Sequence, residues 1–231
     1  MKTTLGIIGY GRFGKLAAQQ LKKHFKVKAY DKAGRKAKAG LKEAASCDVV
    51  LLCVPISEME NTVKSIRKHI RKGTLVMDVC SVKEYPAKIM KKLLPKHTQI
   101  IATHPLFGPD SWKNRESRKI VVCRVRASAK TMAAVKNTIR KLGLKAIAST
   151  PQQHDKEIAK SLALVHTLGR AMAKIKLKKQ EIDTLGYRRL LAISSQTNND
   201  TMQLYRDMMR YNRFSKTTIK KFIKAMEKVS G

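Results

Sequence analysis

Leu5-Gly6-Ile7-Ile8-Gly9-Tyr10-Gly11-Arg12-Phe13-Gly14 decides how the rest of the chain is read. A short apolar run ends in G-x-G-x-x-G, and residues 12–24 then place Phe13, Leu16, Ala17 and Leu21 on one helical face. Strand, glycine turn and helix in that order form the context in which the motif binds a dinucleotide. Gly9 permits the tight turn. Gly11 lets the backbone approach a pyrophosphate at the helix N-terminus, and Gly14 allows close packing of helix on strand. Arg12 and Phe13 fall inside the same loop and count among the candidate cofactor contacts. A second strand over 27–30 ends at Asp31, 22 residues after Gly9, where an acid suits the ribose hydroxyls of NAD. Lys32, Arg35 and Lys36 stand ready for a 2′-phosphate, so NAD is favoured and NADP stays open.

Working outward, short apolar runs keep alternating with amphipathic stretches. Strands are expected over 49–54, 75–79, 99–103, 120–125 and 145–148. Helices are expected over 57–70 and 83–94, and from a Ser128 cap to Gly143, with a short helical segment after the second strand. Repeated β-α units predict an α/β domain over residues 1–150, a Rossmann-type, doubly wound and mostly parallel sheet. After Thr150-Pro151 no strand is legible. One long helix from about 153 to 177 is expected, then helices around 182–196, 198–212 and 215–229. Residues 151–231 read as a smaller all-helical domain. It is small for an independent core, so it is expected to pack on a second copy as a homodimer.

Charge narrows the functional classes. The 231 residues carry 50 Lys+Arg against 16 Asp+Glu, a formal charge of +34. The excess is spread: 33 basic and 9 acidic residues in 1–150, then 17 and 7 in 151–231. It lies between apolar positions and not in a tail, and aromatics at 5% do not interleave with it as stacking platforms would. A dedicated nucleic-acid binder is therefore disfavoured, although salt-dependent association with polyanions is expected. Few acids survive, and Asp31, Asp78, Asp110 and Asp155 sit where a fold or site wants them. That pattern reads as an ordinary enzyme with a supercharged, recharged surface; a polyanion-binding scaffold on a reductase fold is the alternative. No apolar stretch approaches the roughly 18 residues of a spanning helix, and no secretory signal is visible, so a cytoplasmic protein is expected. Cys47, Cys53, Cys80 and Cys123 lack metal-ligand spacing and read as buried hydrophobes, with no metal site expected.

Three further strand ends carry candidate chemistry. Val54-Pro55 closes the third apolar run. Asp78-Val79-Cys80-Ser81-Val82-Lys83 closes the fourth, where Ser81 read by itself favours a helix cap over a ligand contact. His104, fixed by Pro105, closes the fifth and is a base candidate at the carboxyl edge of the sheet.

Taken together, these motifs resemble the prephenate/arogenate dehydrogenase family, most closely its plant-type arogenate members. The resemblance is carried by the glycine loop 9–14, Val54-Pro55, Asp78 to Lys83 and His104-Pro105-Leu106-Phe107-Gly108-Pro109. In the second domain it is carried by His154-Asp155 with Ser161, His166-Thr167-Leu168-Gly169-Arg170, Gly186-Tyr187, Leu190-Leu191, Asn199-Asp200, Leu204-Tyr205 and Tyr211-Asn212. It implies NAD(P)-dependent oxidative decarboxylation of arogenate or prephenate in tyrosine biosynthesis. His104 then stands at the ring hydroxyl as the catalytic histidine, and Ser81 as the serine that orients it. His166 matches a substrate-contacting histidine, and Tyr187 falls in the matching Gly-aromatic pair. Arg170 is added because it lies four residues on, along the same helix face. Asp110 is a candidate partner for the ammonium of arogenate. Where some bacterial members place a carboxylate-gripping arginine this chain has Ala192, with Arg188 and Arg189 nearby. His154-Asp155 matches as well, with an exposed pair at the helix start as its alternative reading.

Overall fold

The computed structural model describes residues 2–34, 36–114, 116 and 118–231. The chain divides into two compact units, Met1–Gln152 and Gln153–Gly231. In the first, β1 (Thr4–Ile8), β2 (Lys26–Tyr30), β3 (Val49–Leu52), β4 (Leu75–Asp78), β5 (Gln99–Pro105), β6 (Lys119–Arg126) and β7 (Lys145–Ala148) form one sheet. Its order is β2-β1-β3-β4-β5-β6-β7, and every pair is parallel except β5 with β6. The helices are α1 (Arg12–Leu21), α2 (Leu41–Ala45), α3 (Met59–Ile66), α4 (Glu84–Leu93) and α5 (Ala129–Lys141).

The apolar alternation explains the layering. Leu5, Ile7 and Leu51 of β1 and β3 bury against Ala17 and Ala18 of α1, with Phe13 and Leu21 packed at the margin. Farther along, Leu75, Ile101, Ile120 and Val122 bury against Val135 and Ile139 of α5. Ser128 caps α5 as expected, its hydroxyl accepting from the Thr131 amide. Strand order reverses at β1 and β3, the first strand being flanked by β2 on one side and β3 on the other. In open α/β sheets the carboxyl ends at such a reversal border the ligand crevice. Here those ends are the glycine loop and the stretch Cys53-Val54-Pro55. The third strand stops at Leu52, two residues short of the expected end. The helix expected over 57–70 is instead α3 flanked by 3-10 turns at Ile56–Glu58 and Arg67–His69.

The second unit is helical: α6 (Pro151–Lys160, its first two residues in the preceding unit), α7 (Leu162–Lys174), α8 (Leu185–Asn198), α9 (Met202–Tyr211) and α10 (Ser215–Val229). The single long helix expected over 153–177 is corrected to two. Ser161 breaks it at φ −113°, ψ −85°, and its hydroxyl donates back to the Glu157 carbonyl at 2.8 Å. That bond competes with regular helical geometry. Apolar periodicity runs on through the break, which is why the sequence hides it. Helix α8 begins at Leu185, where Thr184 accepts from the Tyr187 amide, and α9 begins after Thr201, which accepts from Leu204. No helix of the described residues is long and apolar enough to cross a membrane.

Candidate active site

Gly9 and Gly14 have the local geometry that the spacing of the loop predicts. Gly9 has φ +97°, and a Cβ there would stand 2.4 Å from the Cys53 carbonyl oxygen and 3.1 Å from Val54 Cγ1. Its amide donates to the Tyr30 carbonyl at 2.9 Å, and the Cys53 amide donates to Ile8 at 2.7 Å. The turn is thereby locked between β2 and β3. A Cβ on Gly14 would meet the Gly9 carbonyl oxygen at 2.0 Å, so α1 seats directly on the loop only because residue 14 has no side chain. Gly11 forms the N-cap of α1 with no side-chain cap, and the first turn carries no acidic residue. The positive end of the helix is therefore not neutralised from within its own first turn.

Asp31 sits at the end of β2 and is buried. Its Oδ2 accepts from the Tyr10 amide at 2.6 Å and its Oδ1 from the Ala33 amide at 2.8 Å. The carboxylate thus lies against the glycine loop, 21 residues from Tyr10 along the chain. Of the three basic residues weighed for a 2′-phosphate, Arg35 lies outside the described residues. Val54 packs on Gly9, and Pro55 precedes the 3-10 turn Ile56–Glu58, its carbonyl accepting from Glu58.

Ser81 and His104 follow from neighbouring strands. β4 and β5 run parallel with Asp78 opposite Ala102, so both chains deliver their next residues to one sheet edge. His104 lies in β5 opposite Val121 of β6 and is 5% exposed. The helix-cap reading of Ser81 is corrected: α4 starts at Glu84, with Lys83 at the N-cap position and no side-chain cap. Ser81, half-buried, is left at the sheet edge instead.

Sequence reasoning gave no role to the strongest electrostatic feature here. Lys83 and Asp78 form an ion pair with both side chains fully buried. The Lys83 ammonium also donates to the Thr103 carbonyl at 2.6 Å. The Asp78 carboxylate accepts from the Cys80 amide at 2.9 Å and the Thr103 amide at 3.3 Å, and the Thr103 hydroxyl donates to the Asp78 carbonyl. Lys83 thus ties the end of β4 to the residue preceding His104. An acid–lysine pair five apart beside Ser81 was the only available signal, and 50 basic residues mask any single lysine. Burial pushes the neighbouring Cys53 and Cys80 thiols up, with the Asp78 charge adding to it, so neither is a thiolate at neutral pH.

Beyond His104 the chain turns back on the glycine loop. The Arg12 guanidinium donates to the Asp110 carboxylate at 2.6 Å, and the rings of Phe13 and Phe107 lie 6.2 Å apart. The two residues assigned separately to cofactor and substrate ammonium are therefore bonded to each other.

In the helical unit His166 is 4% exposed. Its Nε2 faces the Asp200 carboxylate at 3.7 Å, and its Nδ1 is buried without a partner among the described residues. Burial holds its pKa below the ordinary value, Asp200 opposing and Arg170 adding to the shift. Arg170 donates to the carbonyls of Thr197, Asp200 and Thr201 at 3.2, 2.8 and 3.2 Å, so its guanidinium closes the α8–α9 turn. The Tyr187 hydroxyl donates to the Lys178 carbonyl at 2.7 Å and braces the loop before α8. The exposed reading of His154-Asp155 is corrected: both are buried, joined Nδ1 to Oδ1 at 2.7 Å, and Asn212 donates to the Asp155 carbonyl. This pair ties α6 to the α9–α10 turn. Among the described residues no group of three His, Cys, Asp or Glu is arranged to hold a metal ion.

Comparison with known proteins agrees with this architecture. Residues 171–231 match the family described as "TYRAAT1-like, C-terminal domain". Arogenate dehydrogenase 1, chloroplastic, of Arabidopsis thaliana is 30% identical, over 96% of this chain and 38% of its own length. Arogenate dehydrogenase 2, chloroplastic, of the same plant is 34% identical, over 71% of this chain and 48% of its own. The chain thus spans less than half the length of these curated relatives. Among solved structures, prephenate dehydrogenase from A. aeolicus, in complex with hydroxyphenyl propionate and NAD+, superposes with a TM-score of 0.77 at 19% identity. It covers all of this chain and 90% of that one. Arogenate dehydrogenase of Synechocystis gives 0.73 at 18% identity, over 97% of this chain and 90% of that one. Residues 11–148, from inside the glycine loop to the last strand of the sheet, match "Prephenate dehydrogenase, nucleotide-binding domain", and on that match the chain belongs to the prephenate dehydrogenase family.

Proposed function

We propose that this chain is an NAD(P)-dependent dehydrogenase that oxidatively decarboxylates arogenate or prephenate in tyrosine biosynthesis. The observation that carries the reading is the convergence at one sheet edge of a built dinucleotide loop after β1 with Ser81 two strands away, after β4, and His104 three strands away, at the end of β5. The loop fits a pyrophosphate: Gly9 and Gly14 leave no room for side chains, and the α1 N-terminus has no side-chain cap. Asp31 fits a ribose by its place: its carboxylate is anchored at the end of β2 by the Tyr10 and Ala33 amides, directly against the glycine loop. That favours NAD, with Lys32 and Lys36 keeping NADP open. When bound, the nicotinamide supplies the hydride acceptor.

The remaining chemistry belongs to the protein. His104 holds or accepts the ring-hydroxyl proton as the carbon beneath it is oxidised. Ser81 supplies a second polar contact for that hydroxyl and for the imidazole. The Asp78–Lys83–Thr103 cluster fixes both strand ends, so the two groups keep their spacing. The ring then loses its carboxylate as carbon dioxide and becomes aromatic.

Residues 1–150 act as the dinucleotide-binding domain and 151–231 as the substrate and dimerisation domain. His166 contacts substrate, Tyr187 and Arg170 shape that region through their loop contacts, and Asp110 is a candidate for the arogenate ammonium. A homodimer through the helices is supported by where large apolar side chains are exposed. Val165, Ile175, Leu177, Ile182, Leu185, Leu190, Met202, Ile223, Met226 and Val229 all belong to the helical unit. The surplus of basic charge adds salt-dependent association with polyanions.

Reduced-nicotinamide absorbance with arogenate or prephenate, each paired with NAD or NADP, tests the reading. Turnover with one pair, falling about 10²- to 10⁴-fold in His104→Gln with the cofactor still bound, is the expected result. No turnover with any pair refutes it.

A further inference from the structure

Two consecutive residues of the glycine loop are fastened to the segment that follows His104. Arg12, the first residue of α1, reaches 98 positions along the chain to Asp110. Phe13 meets Phe107, whose ring lies 5.1 Å from Trp112. Arg118 sits 4.8 Å above the Trp112 ring and donates to the Trp112 carbonyl at 3.2 Å. The segment is itself folded into tight turns, with the Gly108 amide donating to Ser111 Oγ and the Asn114 amide to the Ser111 carbonyl.

The two fastenings differ in kind. The ring contacts are short-range and partly buried. The ion pair is half-exposed, 47% at Arg12 and 41% at Asp110, so it is cheap to exchange. It also brings a carboxylate to the first residue of a helix whose own first turn holds no acid. A pyrophosphate at that position offers Arg12 more charge than one carboxylate can, and meets the α1 N-terminus at the same time.

We propose that Asp110 is an internal stand-in for phosphate. It occupies Arg12 until the pyrophosphate of a dinucleotide takes the guanidinium, and the exchange loosens segment 106–114 from α1. This rests on the dinucleotide reading above and deepens it. The device suits a chain of charge +34. Small anions gather around such a surface, yet at this loop each must displace Asp110 for a single Arg12 contact. A dinucleotide adds the ribose contact at Asp31 and displaces Asp110 at lower concentration. Occupancy of the loop is thereby signalled to the segment adjoining His104.

Trp112 is the chain's single tryptophan, so its emission reports the fastening without catalysis. The test titrates ADP, which has the pyrophosphate and no nicotinamide, into the protein and into Asp110→Asn, Arg12→Gln and the double variant. Calorimetry gives Kd, and fluorescence follows Trp112. Asp110→Asn should bind ADP about two- to five-fold tighter, as expected for release of an exposed pair. That gain should fall below about two-fold in the Arg12→Gln background, where there is no guanidinium to release. Trp112 emission should shift on saturation, and the ADP-free Asp110→Asn protein should already show most of that shift. An equal gain in both backgrounds reduces Asp110 to a general charge effect and overturns the proposal. So does no gain, or a silent Trp112 at calorimetric saturation. These outcomes leave the dinucleotide reading standing, whereas absence of ADP binding in all four proteins overturns both.

Discussion

Replacing Lys83 by Met is the sharpest test of what holds the sheet edge at Ser81 and His104. Lys83 is the largest fully buried side chain among the described residues, and its partner Asp78 is equally buried. Met keeps the apolar stem and removes the charge and the bond to the Thr103 carbonyl. Asp78 would be left as a buried anion supported by two backbone amides, those of Cys80 and Thr103. Removing one partner of a buried pair costs about 3–5 kcal/mol, a large part of the roughly 5–15 kcal/mol typical of a whole domain. The double variant Asp78→Asn/Lys83→Met separates charge from packing. Its neutral amide still accepts from a backbone N–H and needs no counter-ion, so it should recover to within about 2 kcal/mol of the parent. Urea unfolding followed by Trp112 emission reads this domain alone, since Trp112 is the single tryptophan and lies in Met1–Gln152. A loss under about 1 kcal/mol for Lys83→Met would refute the reasoning. A double variant as unstable as the single one would show that volume, and not charge, is at stake.

Three other outcomes follow from the same geometry. Asp31→Asn should lower kcat/KM with NAD roughly ten- to hundredfold relative to NADP, the worth of a charged hydrogen bond, and initial rates with both cofactors check it. His166 is held below its ordinary pKa of 6.5, chiefly by burial, so the unfolded chain binds more protons than the folded one as pH falls through that value. Stability of the helical unit should therefore be fully present above about pH 6.5 and decline below it, by at most about 1.4 kcal/mol per pH unit; far-UV circular dichroism on urea unfolding should show a flatter profile for His166→Gln. Ile223→Lys with Met226→Lys, both at exposed positions of α10, should convert the proposed dimer to monomer in sedimentation while leaving helix content unchanged.

What the sequence made legible was local and repetitive. The glycine loop could be read because two of its glycines answer short-range demands: a positive φ at Gly9, and a helix seated on the loop at Gly14. Strand positions could be read because apolar runs mark the sheet, but not their exact ends: β3 stops at Leu52 while its run goes on to Val54, and β5 continues to Pro105. Ser81 was legible on the same ground, as a polar residue past such a run, and His104 as the polar residue closing an apolar run, although β5 carries on through it to Pro105. Contacts between distant residues were not legible. The Arg12–Asp110 bond joins residues 98 apart, and each end had its own plausible partner outside the chain. Arg170 was aligned with His166 by helical period, yet the carbonyls that hold it are 27 to 31 residues away. The lysine excess did the most to hide structure. In a chain of ordinary charge, a lysine between Val82 and Glu84 that never reaches solvent would have shown up as an exception to a sparse pattern. Among 50 basic residues it reads as one more surface charge. Only burial tells the one lysine that fixes the strand ends from those that coat the surface, and burial is set by packing that forms after the local pattern has been spent.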